Sequence, residues 1–512
     1  TDCNNYRGIS LLSVPGKVLA RVIYSTSPAR HVEEMLAEPQ CGFRKGQSCT
    51  DAIFSVRLLQ QRCREFQQDL HLCFIDLVKA YDTISRTGLW VVLRAFGVPD
   101  PLLTIIKDLH DGERARVKLR GRESEPFPVH LGVRQGCPLA PTLFNIYFDC
   151  VVREAFNSCT GGITIWYRYN GRLIDARVRS RDGSLLVNHV MYADDLVIAA
   201  HSEEELETLL LRLERATKRW GLTISPTKTK HLPGYFVPSG TPPPQLPIGD
   251  GAVVERVESF PYLGSVLMTG SSLSAEVSLR ISRAAISFHQ LRNAVWKLPG
   301  LSLRTKLQVF SATVIPSLLY ACETWTPLVE HLRRLETFRL ACLRSILGLT
   351  RLDCVRSSQV LERSGQSPIS ELLRQARLRW LGHVARMPSH RMPKQLLFGR
   401  IEGAKRARHG LEKRWSDVVQ EDVELSGLAD DWYQRCQDRP LWRRLVKDAT
   451  GQLEAVALQQ QRRAEERRSQ QRAERRVAKA QQVGTVGGTG GPTHGTCRVC
   501  PVTSSCQRAF DT

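Results

Sequence analysis

The stretch from Val190 to Ala200 constrains this chain more than any other. Val190, Met191 and Tyr192 lead into Ala193, Asp194 and Asp195, and an apolar run, Leu196 to Ala200, follows. Two short apolar runs with a polar break predict a tight β-hairpin with the acids at or beside its turn. Adjacent carboxylates repel, and burying either is costly unless a cation sits between them. A divalent ion such as Mg²⁺, which takes hard oxygen ligands, resolves that conflict. Alone, the dipeptide also suits an ordinary exposed turn. A second acidic segment, Leu72 to Asp82, shifts the balance, because it sets Asp76 at the end of an apolar strand. Three carboxylates from two strands can hold two metal ions about 3.5–4 Å apart, the arrangement for in-line phosphoryl transfer.

Charge points to the partner. The 512 residues carry a formal net charge of +21, with a sequence pI of about 9.6, which favours a polyanion such as nucleic acid through counterion release. The length allows several domains, and 42% hydrophobic residues suffice for a sizeable core. The 15 cysteines are scattered through apolar segments, which fits reduced thiols in a nuclear or cytoplasmic protein. No secretory signal and no apolar run of about 18 residues is visible, so no membrane partner is expected. The chain opens at Thr1 inside what reads as a motif, and an N-terminally truncated fragment is the expectation.

In chain order, Asn4 to Ser10 leads into a helical pattern around Val18, Leu19, Val22 and Ile23. Gly42 and Gly46 bracket Arg44 and Lys45 ahead of a helix with Ile53, Val56, Leu58 and Leu59. A glycine-flexed basic loop before a helix can cradle phosphates, or be a basic surface turn. Helices are predicted over Ser85 to Phe96 and Leu102 to Leu109, with paired strands Arg114 to Leu119 and Phe127 to Leu131 around Gly121. Gly136 permits close backbone approach, and Pro138 marks a helix start. Three strands are expected between 163 and 200, joined at Asn170-Gly171 and Asp182-Gly183. A helix over Glu203 to Trp220, a proline-rich loop from Pro233 to Pro247 and a short strand from Phe260 to Leu267 follow. Beyond Ser274 the chain turns helical, which places a boundary near 270. In the basic helical region 330–450, Arg377, Arg379 and Trp380 suit stacking on bases. A buried Trp380 with its arginines in water is the favoured alternative. Gln452 to Gln482 predicts a solvated, charge-laced helix, and Gly484 to Gly495 a flexible linker. Cys497 and Cys500 are a plausible half of a Zn²⁺ site, with His494 and Cys506 as candidates for a poorly spaced other half; a cut-off finger is the favoured alternative.

Taken in order, these motifs resemble the reverse transcriptases of non-LTR (LINE-type) retrotransposons, from Asn5 to about residue 450. Tyr192, Ala193, Asp194 and Asp195 match that family's YxDD box, and Phe74 to Asp82 its first metal-binding motif. Arg134 to Leu139 match the template and nucleotide-positioning motif, although Ala140 stands where many relatives have Ser. Trp220 to Thr229 resemble the lysine-bearing motif that follows, and Tyr262, Leu263 and Gly264 the primer grip. The resemblance implies an α+β chain with a right-hand polymerase fold: fingers and palm with an antiparallel sheet over 1–270, and a helical thumb over 271–345. A helical basic C-terminal region (346–450), a Gln/Arg-rich helix (451–482), a Gly-rich linker (483–495) and a zinc-finger-like end (496–512) complete it. The family's apurinic-type endonuclease domain is not found, so nicking cannot be argued.

Roles follow from the same resemblance. Asp76, Asp194 and Asp195 would hold two Mg²⁺ ions, with Mn²⁺ a substitute, and Lys228 would protonate pyrophosphate, with Lys230 its rival. Arg44 and Lys45 would touch the triphosphate. Gln135, Gly136 and Pro138 would line template and incoming base. Tyr81 would close off the space a ribose 2′-OH needs. The implied reaction extends a DNA primer with dNTPs on an RNA template, at a DNA target by family habit. An RNA-dependent RNA polymerase and a catalytically inactive nucleic-acid-binding relic are the alternatives.

Overall fold

In the computed structural model, described for residues 10, 12–25, 34–119, 121–168, 183–235, 246–249, 251–350, 352–404 and 413–485, a five-stranded sheet organises the first part of the chain. Its order is Glu255–Arg256, Lys230–Gly234, Leu70–Ile75, Asp195–Ala200, His189–Tyr192. All neighbours are antiparallel except the first two. The central strand, Leu70–Ile75, is buried at every position, because its alternating side chains feed two different cores. Cys73 and Ile75 pack with helices Ala140–Phe156 and Glu203–Arg219. Leu72 and Phe74 pack on the other face with Phe54, Trp380 and Trp415. A strand covered on both faces has no polar side to show, which explains its apolar run.

Helix Cys49–Glu65 follows the same logic. Thirteen of its residues are buried, Asp51 and Glu65 among them. Its outer side is covered by helices Ile369–Arg386, Met392–Leu397 and Trp415–Leu425. Phe54 meets the rings of Trp380 (5.5 Å) and Trp415 (4.9 Å) edge-on. Buried ion pairs seal the seam: Arg391 with Asp51 (2.9 Å) and Glu38 (2.8 Å), and Arg414 with Glu65 (2.7 Å). Strand Gly399–Ile401 also pairs with Ile163–Tyr167. Residues Thr1–Ala455 thus form one compact unit; Val456–Thr512 form a second. Within that second unit no described side chain is buried, and it is helical to Thr485. No helix among the described residues is long and apolar enough to cross a membrane.

Several expectations need correction. The described residues of the segment 163–200 form four strands in two sheets: Ile163–Tyr167 pairs with Gly183–Val187 in one, while His189–Tyr192 and Asp195–Ala200 belong to the central sheet. The break falls at Asn188, which carries no sequence signal as strong as Asn-Gly. Phe260 to Leu267 is a hairpin, Ser259–Tyr262 with Ser265–Met268. Its two-residue turn has Leu263 at φ 47° and Gly264 at φ 81°, the mirror-image turn that suits strand twist. The helix after Pro138 starts at Ala140, and Pro141 occupies its first turn. Trp380 is buried, but so is Arg377, which pairs with Asp422 at 2.6 Å instead of facing water. Asn4 to Gly8, Asn170-Gly171, Asp182, the proline-rich segment 236–245, His494, Cys497, Cys500 and Cys506 lie outside the described residues.

Candidate active site

The hairpin turn is held from beneath. Tyr192 pairs with Asp195, leaving Ala193 and Asp194 as the two turn residues. Ala193 lies at φ 56°, left-handed backbone that an L-residue adopts at a cost. Gln40, fully buried, stabilises it. Its Oε1 accepts from the amides of Ala193 and Gly42, both at 2.8 Å, and its Nε2 donates to the Ala193 carbonyl at 3.3 Å. The flanking backbone adds Cys41 N to Met191 O and Met191 N to Pro39 O, each 2.8 Å. Buried Asn145 donates to the Gly42 carbonyl at 2.7 Å. Gly42 has no room for a side chain: a Cβ there would lie 2.3 Å from the Ala193 amide nitrogen. Gly42→Ala is therefore expected to push the turn out of place and, on the polymerase reading that the resemblance implies, to cut the rate of primer extension about 100-fold, the scale of a 1 Å misplacement. Steady-state extension kinetics check it, and a rate within threefold of the parent would sink the clamp.

The central strand delivers Asp76 to this turn. The register pairs His71 with Ala200 and Ile75 with Leu196, so one step further sets Asp76 abreast of Asp195. Directly opposed residues of an antiparallel pair share a face. Asp76 and Asp194 are half-buried and Asp195 is exposed. The Asp76 backbone is pinned from the opposite side, its carbonyl accepting from Ser225 N (2.8 Å) and its amide donating to Thr229 Oγ1 (3.4 Å). Lys228 Nζ stands 3.6 Å from Asp76 Oδ2. Lys230 points elsewhere, to Glu255 (2.5 Å) and the Thr227 carbonyl (2.7 Å). Asp76 Oδ2 is a buried atom with no hydrogen-bond donor, a hard oxygen suited to a divalent cation. The oxygens of the three aspartates do not all fall within 4.8 Å of one another; among the described residues the group that does is His71, Glu203 and His231.

Around this end of the sheet the other candidates fall into two groups. Tyr81, in the short helix Ala80–Thr83, stacks on Phe144 at 4.4 Å and 18°. The loop with Gln135 lies against it: Val133 N donates to the Tyr81 carbonyl, Gly132 N to that of Ile84 (both 2.8 Å), and Gln135 Nε2 to Asp82 Oδ1 (3.4 Å). Gly136, at φ 106°, abuts the Ser10 carbonyl, which a Cβ would meet at 2.5 Å, and Ser10 N donates to Gln135 O at 2.7 Å. The close neighbour of Gly136 is thus this chain's own backbone. Pro138 is half-buried beside it. Arg44, by contrast, turns inward, donating to the carbonyls of Ala37 (2.7 Å) and Gln40 (3.0 Å), while Lys45 is exposed.

At the second hairpin the Tyr262 ring is core: it is buried beside Phe74 (5.6 Å), and burial raises its phenol well above the usual range. The turn residues Leu263 and Gly264 are half-buried. Tyr320 OH donates to the Leu263 carbonyl (2.9 Å), and Arg280 to that of Gly264. Sequence reasoning missed Gln40 and Asn145. Their signal was an amide at an otherwise apolar position, which by itself also fits surface chemistry.

Carboxylates at the turn of one strand pair and at the end of the adjoining strand, with Lys228 beside Asp76, are the donor types that divalent-cation phosphoryl chemistry uses. The chain belongs to the reverse transcriptase (RNA-dependent DNA polymerase) family, whose pattern residues 1–267 match; that membership implies dependence on a divalent metal ion. It is 24% identical over 363 residues to the RNA-directed DNA polymerase from mobile element jockey of Drosophila funebris, covering 68% of this chain and 36% of that protein. The probable RNA-directed DNA polymerase from transposon BS of Drosophila melanogaster is 26% identical over 67% of this chain and 36% of that protein. For the Pol polyprotein of element R2DM of the same fly the figures are 26%, 39% and 17%. The chain thus spans about a third or less of these relatives' length. A likeness to telomerase from Candida albicans, at TM-score 0.34 and 12% identity over 71% of this chain and 56% of that one, carries no argument of its own.

Proposed function

We propose that this chain is the RNA-directed DNA polymerase of a LINE-type retrotransposon, extending a primer 3′-OH with dNTPs on an RNA template. The observation that carries the reading is the register that sets Asp76 abreast of the hairpin bearing Asp194 and Asp195. Two bound Mg²⁺ ions, or Mn²⁺ in their place, would supply the positive charge that activates the primer hydroxyl and neutralises the triphosphate. The three aspartates hold and space that charge, and the Gln40 clamp keeps their turn preorganised. Lys228 donates a proton to the departing pyrophosphate, a role that needs a positioned, solvent-reachable ammonium. Lys45 meets the triphosphate by charge, and Arg44 shapes the loop that carries it. Gln135, Gly136 and Pro138 border the template and base, and the Leu263–Gly264 turn backs the primer. Residues 1–270 serve as fingers and palm, 271–345 as thumb, and 346–450 as the element's own C-terminal region. Use of a DNA target as primer source belongs to the same proposal.

Tyr81 selects the sugar. Its ring is fixed by the Phe144 stack, so it cannot swing away from a 2′-hydroxyl, the feature that separates RNA from DNA precursors. The deciding experiment pairs two assays on the full chain: extension of oligo(dT) on poly(A) with dTTP or UTP, and salt-dependent binding of the same duplex. Extension with dTTP and strong discrimination against UTP are expected, and Tyr81→Val should admit UTP at least about tenfold better. Binding without extension leaves a nucleic-acid-binding relic; equal use of UTP by the parent chain removes the DNA-polymerase reading.

A further inference from the structure

At the far end of the central strand lies a buried cluster that the polymerase reading leaves idle. His71 is the second residue of that strand, His231 sits on the neighbouring strand, and Glu203 begins the helix that follows the catalytic hairpin. Cys73 pairs with His231, so His71 and His231 are diagonal neighbours on one face, close enough for long side chains to meet. Because His71 pairs with Ala200 on the other side, the start of the Glu203 helix falls over it. His71 Nδ1 lies 3.2 Å from His231 Nε2 and 3.8 Å from Glu203 Oε1, and one ligand atom from each residue lies within 4.8 Å of the others.

We propose that His71, Glu203 and His231 form a structural site for a four-coordinate transition-metal ion of the zinc type. Bonds of about 2.0–2.1 Å directed to the corners of a tetrahedron put donors about 3.3–3.4 Å apart, between the two observed spacings. Two imidazoles and one carboxylate suit Zn²⁺ and not Mg²⁺, which demands oxygen. Glu203 is oriented from outside: Tyr235 OH donates to Oε1 and Arg256 Nη2 to Oε2 at 2.8 Å. Such outer partners fix a ligand's direction. Five strand positions separate His71 from Asp76, about 17 Å at the rise of a strand, so the ion would be distinct from those of the catalytic aspartates. It would tie together the strand ending at Asp76, the strand that follows Lys228 and the helix after the hairpin. The proposal stands whether or not the chain polymerises DNA.

The test uses the full chain, stripped with chelator and titrated with Co²⁺ alone, then with Zn²⁺. One equivalent is expected to give the visible bands of four-coordinate Co²⁺ without thiolate charge transfer. Zn²⁺ but not excess Mg²⁺ should displace it, and Cys497→Ser, Cys500→Ser and Cys506→Ser together should leave the bands unchanged. His71→Ala or His231→Ala should abolish the bands, and Tyr235→Phe should weaken binding about 10-fold or more. Should the histidine variants fail to fold, the parent titration decides alone: without the four-coordinate spectrum, the ion pair with Arg256 is what balances Glu203 and the site falls. Displacement by Mg²⁺, or bands that survive in folded histidine variants, overturns it equally.

Discussion

Asp194→Asn is expected to lower primer extension by about 10³-fold or more while leaving affinity for primer–template nearly unchanged. The change is close to isosteric, and Asn is as acceptable as Asp in a two-residue hairpin turn. The ladder contact of Tyr192 with Asp195 and the Gln40 bonds to Ala193 engage other residues, so the turn should survive. What disappears is one negative charge at the place where the proposed mechanism holds cations against a reacting phosphate, and charge stabilisation of that kind is usually the largest single term in such catalysis. Asp76→Asn should behave alike. Lys228→Ala should cost less, about 10²-fold, since a general acid contributes about 10²–10⁴ and water can stand in at so exposed a position. The measurement is single-turnover extension beside duplex binding. Extension by Asp194→Asn within tenfold of the parent would remove the aspartates from the chemistry.

How far the sequence foretold this site depends on which interactions make it. The hairpin was legible because two apolar runs and a polar break are local, and Asp76 because a strand end is local too. That the two segments lie side by side was not written in any spacing; it was expected from the chemistry of three carboxylates and from the resemblance, and it needs the register of two strands more than a hundred residues apart. The inward turn of Arg44 was illegible for a related reason: a guanidinium that caps its own loop's carbonyls looks, in sequence, like one offered to phosphate. The helix Cys49–Glu65 was read by four apolar positions, yet Asp51, Gln61, Arg62 and Glu65 are buried as well. Polar residues can be buried there because Arg391 and Arg414, more than 300 positions later, bring charges that match Asp51 and Glu65, and the Trp415 amide donates to Gln61. Trp380 was expected in the core, and the partner that puts it there, Phe54, could not be named from periodicity.

That distant closure makes Arg391→Met the second large effect. Arg391 donates from Nε to Glu38 and from Nη2 to Asp51, whose carboxylate is fully buried. Asp51 also accepts from Ser48 N (2.8 Å) and Ser48 Oγ (2.7 Å), closing the capping box of the Cys49–Glu65 helix. Removing the guanidinium leaves a buried negative charge with two neutral donors and no counterion, a loss of about 3–5 kcal/mol. That is a large part of the roughly 5–15 kcal/mol that holds a typical domain together. The urea midpoint should fall accordingly with little change in slope. Asp51→Asn in the Arg391→Met background should recover part of the loss, because the uncompensated charge goes while the amide oxygen still accepts from Ser48. The same helix begins nine residues after Gln40, whose side chain holds the Ala193–Asp194 turn. Extension by Arg391→Met should therefore fail on warming before that of the parent, at unchanged sugar selectivity. A midpoint equivalent to less than about 1 kcal/mol of loss would mean that the C-terminal region is not held to this helix by that pair.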